Sequence, residues 1–75
     1  MGELFDLYEK YGQEEAENTK EKIFRALLQL DRGHSYNLAN LPDEKKELAV
    51  KLCCLWIHRN QNYEFSNDYT IIRHL

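Results

Sequence analysis

Residues 42–60 (PDEKKELAVKLCCLWIHRN) carry hydrophobic side chains at the 3.6-residue spacing of an α-helix. Pro42 suits the first turn of a helix, because its missing N–H would have no partner there anyway. Asp43 and Glu44 place negative charge at the positive end of the helix dipole, and Arg59 places positive charge at the other end. No Gly or Pro interrupts the run after Pro42, so this stretch predicts one continuous helix.

The apolar arc of this predicted helix is wide. It spans roughly 200° of the helix surface, whereas a surface helix needs a stripe of only about 100°. Its members are Ala49, Val50, Leu52, Cys53, Cys54, Trp56 and Ile57. We therefore expect a central helix that is covered on two or three sides, with Trp56 as an anchor of the core.

Two other stretches show the helical period. Residues 3–11 place apolar side chains on one side and charged side chains on the other. Residues 13–32 begin with acidic residues, which suit the N-terminal end of a helix. Gly12 lies between them, where it either ends the first helix as a left-handed cap or lies inside one longer helix at a cost of about 1 kcal/mol relative to Ala.

The limits of the second helix have alternatives. A capping box formed by Asn18 and Glu21 would move its start to about Thr19. Gly33 is a suitable residue to follow its last turn, because glycine readily adopts the left-handed conformation. We expect the helix to cover residues 13–32.

Residues 33–41 have no strong helical period, and the pattern of residues 61–75 is ambiguous. Residues 33–41 predict a loop, because they contain Gly, Ser and two Asn. Residues 61–75 allow two structures. One is a loop and a final helix, capped by Ser66 or Asn67 and carrying Tyr69, Ile72 and Leu75. The other is a hairpin in which Tyr63 and Phe65 pair with Thr70 and Ile72 around a Ser-Asn-Asp turn. We favour the helix.

The predicted fold is therefore an all-α bundle of three to four helices, with residues 42–60 as the central helix. Its 75 residues form one domain, residues 1–75. The chain has 43% hydrophobic and 31% charged residues, which argues against disorder.

The charge and the cysteines bear on the protein's surroundings. A net charge of −3 argues against general affinity for nucleic acid. No apolar run approaches the length of a membrane span, so we expect no membrane partner. Cys53 and Cys54 are helix neighbours that point about 100° apart, so we expect no disulfide between them. We expect both to be reduced, buried thiols, and the protein to be cytoplasmic.

The chain contains no convincing catalytic or metal-binding motif. Cys54 and His58 share a helix face, and His34 or His74 could complete a metal site with them. Structural zinc sites usually show two ligand pairs, however, and only one is present. As a nucleophile, a cysteine inside an apolar helix is inert, because burial raises its pKa. We therefore predict no enzyme activity, no metal site and no cofactor.

A helix-turn-helix arrangement for DNA is the alternative function. Residues 13–32 and 42–60 would be its two helices. Their connector, GHSYNLANL, is longer than the turn of about three to four residues in that motif. The second helix would also lead with Asp43 and Glu44, which repel phosphate. A nucleic-acid-associated regulator is therefore the second choice.

The favoured function is a small non-enzymatic protein-interaction module, such as an inhibitor, adaptor or regulatory accessory protein. Tyr and Arg are enriched among the residues that dominate binding interfaces. The C-terminal segment concentrates such residues, and the candidate partner-binding residues are Arg59, Tyr63, Phe65, Tyr69 and Arg73. The same aromatic side chains could instead complete the core.

The partner is a protein of unknown identity, and a second copy of the chain is one candidate. The predicted central helix has more apolar surface than a helix packed on one side needs. Phe24 and Leu28 also extend the apolar face of the second helix beyond its main stripe. We therefore expect self-association as a two-fold homodimer.

Overall fold

The computed structural model describes residues 3–74, with only the backbone described for Glu3. These residues form three helices and one antiparallel sheet of three strands. The elements are α1 (Glu3–Tyr11), α2 (Gln13–Leu28), β1 (Ser35–Asn37), α3 (Asp43–Arg59), β2 (Tyr63–Phe65) and β3 (Thr70–Arg73). The prediction of an all-α helical bundle is wrong, and the fold combines helices with a small sheet.

Gly12 separates α1 from α2. Its φ of 90° lies in a region that other residues rarely adopt. Its N–H donates to the carbonyl of Tyr8 at 2.9 Å, and its own carbonyl accepts from the N–H of Ala16 at 3.0 Å. Gly12 therefore ends one helix and precedes the next. α2 begins at Gln13, so the alternative start at Thr19 is wrong.

α2 ends at Leu28, four residues before the predicted end at Arg32. The residues after it turn into the sheet instead of continuing the helix. Gly33, with φ of 82°, donates its N–H to the carbonyl of Arg73 at 2.8 Å. The N–H of Arg73 donates back to the carbonyl of His34 at 3.0 Å. Gly33 therefore bonds to β3 at the start of the sheet and does not cap α2.

The sheet has the order β1-β3-β2, and both neighbours are antiparallel to the central β3. β1 lies in the segment predicted as a loop, where Tyr36 pairs with Ile71. β2 and β3 form the hairpin that was the second choice for residues 61–75. The favoured final helix is wrong for the described part of this segment, and its last residue, Leu75, lies outside the described residues.

The register of the hairpin differs from the one predicted. Phe65 pairs with Ile71 and Tyr63 with Arg73. The turn supplies the reason. Tyr69 has a φ of 65°, which places one residue of the turn in the left-handed region. The N–H of Ser66 then donates to the carbonyl of Thr70 at 2.8 Å.

The core contains side chains from all three helices and from the sheet. Its fully buried large side chains are Leu27, Leu38, Leu48, Leu52, Cys53 and Ile71. α3 packs against α1, α2 and β2, so much of its wide apolar arc is covered within one chain. This coverage removes part of the reason to expect a homodimer, which stays a prediction.

Cys54 differs from its neighbour. Cys53 is buried, as expected, but Cys54 is exposed, so the prediction of two buried thiols is wrong for Cys54. Within residues 3–74, no helix combines the length and the apolar character needed to cross a membrane.

Candidate binding site

An open cavity of about 310 Å³ lies where the three helices meet. Its described lining residues are Leu4, Lys20, Phe24, Leu55, Trp56, Arg59 and Asn60. We call it the three-helix cavity. Its volume is at the lower end of the range of about 300–1,000 Å³ that is typical of ligand pockets.

The helical period explains why these side chains meet. Residues four apart lie above one another on the same helix face. Lys20 and Phe24 have this spacing on α2, and Leu55 and Arg59 have it on α3. Glu15 forms an ion pair with Lys45 near the N-terminal ends of α2 and α3, and the rings of Phe24 and Trp56 pack together farther along. These contacts show that the two helices run side by side in the same direction.

Packed aromatic rings form one wall of the three-helix cavity. The ring centroids of Phe24 and Trp56 are 4.9 Å apart, with their planes at 56°. Behind Trp56, the ring of Tyr63 packs edge-on at 5.6 Å. The Tyr63 hydroxyl donates to the carbonyl of Leu27 at 2.9 Å. The wall is therefore held in place by both α2 and β2.

The polar groups of the lining are mainly hydrogen-bond donors. Trp56 is only 8% exposed, and its buried Nε1–H has no acceptor among the described residues. Lys20 lies 3.4 Å from a carboxylate oxygen of Glu17. Arg59 is exposed and forms no ion pair within the described part of the chain. Asn60 donates its side-chain N–H to the carbonyl of Trp56 at 3.0 Å.

Leu28 extends this apolar surface. It lies one helical turn after Phe24 on α2, so both side chains project from the same side of the helix. Leu28 is 68% exposed, the largest exposed fraction among the large hydrophobic residues described. An exposed apolar side chain therefore lies one helical turn after a residue that lines an open cavity with an aromatic wall.

The five candidate partner-binding residues do not form one surface. Tyr63 is buried, and Arg73 donates to the carbonyl of Leu30 while its guanidinium lies 5.9 Å from the Tyr63 ring. Phe65 packs against the core. The sheet brings Tyr63 and Arg73 together because they are register partners. These three side chains have structural contacts, and the two aromatic ones follow the stated alternative in which they complete the core.

The other two candidates lie near opposite ends of α3. Arg59 lines the three-helix cavity at the C-terminal end of α3. Tyr69 is exposed in the β2–β3 turn, where Lys46, near the start of α3, lies 5.4 Å from its ring centroid. The role of the five residues in partner binding stays a prediction, and the structure joins only Arg59 to the cavity.

The sequence pattern did not indicate Leu4, Lys20 and Leu55 as site residues. For Phe24 and Leu28 a signal existed, because both lie at the margin of the apolar face of α2. Periodicity alone could not show that Leu4 and Leu55 line the same cavity, since they are far apart in the sequence and belong to different helices.

Two clusters outside the cavity have different chemistry. Cys54 lines a second cavity of about 280 Å³ with Asp6, Leu7 and Lys51. Burial raises the pKa of the neighbouring Cys53 thiol to about 12. No group of three or more His, Cys, Asp or Glu side chains in the described residues is placed to hold a metal ion.

The second cluster is an exposed ion-pair network. Glu47 on α3 accepts from Lys10 at 2.8 Å and lies 3.3 Å from Lys51. Hydrogen bonds from these two lysines lower the pKa of Glu47 to about 2. The network joins α1 to α3 on the protein surface.

The chain has no significant match among protein-family models, curated proteins or solved structures. The function must therefore be argued from the geometry of the molecule.

Proposed function

We propose that the protein is a small non-enzymatic protein-interaction module that binds its partner at the three-helix cavity and the adjoining Leu28. The observation that carries this proposal is the exposure of Leu28 one helical turn after Phe24, which lines the open, aromatic-walled cavity. Exposed apolar surface rimmed by polar residues is typical of protein interaction sites. An inhibitor, adaptor or regulatory accessory protein acts through a surface of this kind.

The composition of the site suits an interface. Trp and Arg are enriched among residues that dominate binding energy, and both occur here as Trp56 in the wall and Arg59 at the rim. Covering the exposed Leu28 side chain in a complex would favour binding by removing apolar surface from water. A partner that also filled the cavity would gain contacts with Phe24.

The lining supports binding better than catalysis. Its ionisable described residues are Lys20 and Arg59, and it has no described His, Cys, Asp or Glu side chain. Acid–base and nucleophilic mechanisms most often rely on those four residue types. The donors of the lining can hold a bound group but provide no evident base to accept a proton from it.

The test compares two variants that remove an exposed hydrophobic side chain at different places. Leu28→Asp alters the proposed site, and Tyr69→Ser alters the β2–β3 turn near the other end of α3. Each is immobilised beside the unchanged protein and exposed to an extract of the native host, after circular dichroism has shown that it is folded. We expect one partner to be retained by the unchanged protein and Tyr69→Ser, and lost by Leu28→Asp. Retention by Leu28→Asp and loss by Tyr69→Ser would contradict the proposed site.

A further inference from the structure

We propose that the partner segment entering the three-helix cavity carries a carboxylate beside a large apolar side chain. This inference rests on the proposed function and adds the chemistry of the partner. It follows from the charge, the hydrogen-bond donors and the apolar wall of the cavity, each of which requires a different property of the occupant.

The charge of the cavity is opposite to that of the chain. The protein has 13 acidic and 10 basic residues, with a net charge of −3. Both charged residues in the described lining are nevertheless basic, Lys20 and Arg59. Opposite charges across an interface select the partner and speed its association. An occupant that meets this lining should therefore be negatively charged.

The two basic residues differ in how far they are already paired. Lys20 lies 3.4 Å from Glu17, and Glu17 also accepts a hydrogen bond from the Tyr8 hydroxyl. Arg59 has no ion pair among the described residues, and its planar guanidinium can bind both oxygens of one carboxylate. Arg59 is therefore the main expected contact for the carboxylate, with Lys20 as a second positive charge.

Trp56 carries a polar group in the wall of the cavity. Its Nε1–H is buried and has no acceptor in the described chain, although its ring forms part of the cavity wall. Buried donors in folded proteins nearly always have a partner, because they have lost their hydrogen bonds to water. The Nε1 atom has almost no exposed surface, so an occupant of the open cavity does not contact it, and the charged donors that line the cavity are those of Lys20 and Arg59.

The apolar part of the occupant follows from the rest of the lining. Leu4, Phe24 and Leu55 provide a hydrophobic surface, and the cavity volume of about 310 Å³ suits one large side chain better than a bulky cofactor. Leu28 lies outside the described lining and remains exposed. Since the apolar surface extends past the cavity, a protein segment covers more of it than a free organic acid would.

A second copy of this chain also offers such a pair, Phe5 and Asp6, both of which are exposed on α1. Two observations argue for a foreign partner. Asp6 already lines a cavity with Lys51 of its own chain. Two copies that each carry a charge of −3 also repel each other.

The test uses three synthetic peptides. The first is acetyl-Glu-Leu-Phe-Glu-amide, and in the other two both Glu residues are replaced, by Gln in the Gln analogue and by Lys in the Lys analogue. Binding is measured by backbone amide NMR shifts and by the fluorescence of Trp56, the only tryptophan in the chain. We expect the acidic peptide to shift the amides of Lys20, Phe24 and Arg59. We expect about tenfold weaker binding of the Gln analogue and no binding of the Lys analogue, as the loss of a charge-assisted hydrogen bond predicts. Equal affinity for the three peptides would overturn the proposal.

Protein variants locate the contacts. Arg59→Gln should weaken binding of the acidic peptide about tenfold, whereas Arg32→Gln removes the same charge from the exposed loop after α2 and should have no effect. Equal losses in Arg59→Gln and Arg32→Gln would show general charge attraction and would overturn a specific carboxylate contact.

Two further measurements address the other occupants. If 3-phenylpropionate bound more tightly than the acidic peptide, the site would be one for small organic acids, and the proposal would fail. If sedimentation showed a dimer that Phe5→Ser and Arg59→Gln both dissociated, the occupant would be a second copy of this chain, and the proposal of a foreign partner would fail. The proposed function fails separately, when the natural partner is retained by Leu28→Asp even though the acidic peptide binds.

Discussion

The hydroxyl of Tyr63 donates a 2.9 Å hydrogen bond to the backbone carbonyl of Leu27. This bond ties the first residue of β2 to the last turn of α2, where helix carbonyls have no partner within the helix. Tyr63 also packs edge-on against Trp56, so the same residue supports the wall of the three-helix cavity.

The first prediction concerns this hydrogen bond. Tyr63→Phe should lower the free energy of unfolding by about 1 kcal/mol, because it removes one buried hydrogen bond and keeps the ring. The loss should not be larger, since the Leu27 carbonyl still accepts from the N–H of Leu30 at 3.2 Å. Urea denaturation measures the change. Tyr69→Phe is the matched control, and equal stability of the two variants would contradict a role for the Tyr63 hydroxyl.

The second prediction concerns Trp56 as an anchor of the core. Trp56→Ala should lower the free energy of unfolding by about 3–5 kcal/mol, because it removes a large buried side chain that packs against Phe24 and Tyr63. Denaturation followed by far-UV circular dichroism measures the loss without relying on tryptophan fluorescence. Leu28→Ala is the control and should change stability little, because Leu28 is exposed. A loss below about 1 kcal/mol for Trp56→Ala would contradict the packing.

The third prediction concerns pH and Glu47. The hydrogen bond from Lys10, with a second from Lys51, lowers the pKa of Glu47 from its ordinary 4.5 to about 2. A carboxyl whose folded pKa is lowered stabilises the fold above its unfolded pKa, so this contribution is present above about pH 4.5 and is lost as the pH falls through about 2. Because the network is exposed, added salt should weaken it.

NMR titration of the Glu47 carboxyl tests this pH dependence. Lys10→Met should move its pKa back towards 4.5. Lys22→Met removes an equal charge from the exposed surface of α2 and should leave the pKa of Glu47 unchanged. If both variants moved it equally, the effect would come from net charge and not from the contact.

The fourth prediction concerns the adjacent thiols. Cys54 is exposed, whereas Cys53 is buried and burial raises its pKa to about 12. Because the thiolate is the reactive form, a thiol reagent should modify Cys54 in the folded protein and Cys53 only after unfolding. Cys54→Ser should abolish the fast reaction and Cys53→Ala should retain it. Two fast thiols in the folded protein would contradict the burial of Cys53.

The helices were predictable because each repeats its hydrophobic pattern over several turns. The limits of α1 agree with the prediction, and those of α3 differ by one residue at each end. The sheet was harder, because β1 and β2 have three residues each. A strand of three residues shows too little alternation of apolar and polar side chains to be recognised. The pairing of β1 also depends on Ile71, which lies far from β1 in the sequence.

The site was predictable only in part. The aromatic and arginine composition of the C-terminal segment pointed to Arg59, which lines the three-helix cavity. The same composition did not distinguish it from Tyr63 and Arg73, whose contacts are structural. Arg59 differs from Tyr63 and Arg73 because the sheet packs the latter two against other parts of the chain. The sequence pattern does not show which side chains the sheet packs in this way.

The most direct test of the account is covalent capture at Leu28. A photoreactive amino acid replaces Leu28 in one sample and Tyr69 in another, and each folded protein is irradiated in an extract of the native host. We predict that position 28 forms a cross-link to a single partner, that an excess of unlabelled protein competes it away, and that position 69 forms none. A competed cross-link from position 69 and none from position 28 would contradict the claim that the three-helix cavity and Leu28 form the binding site.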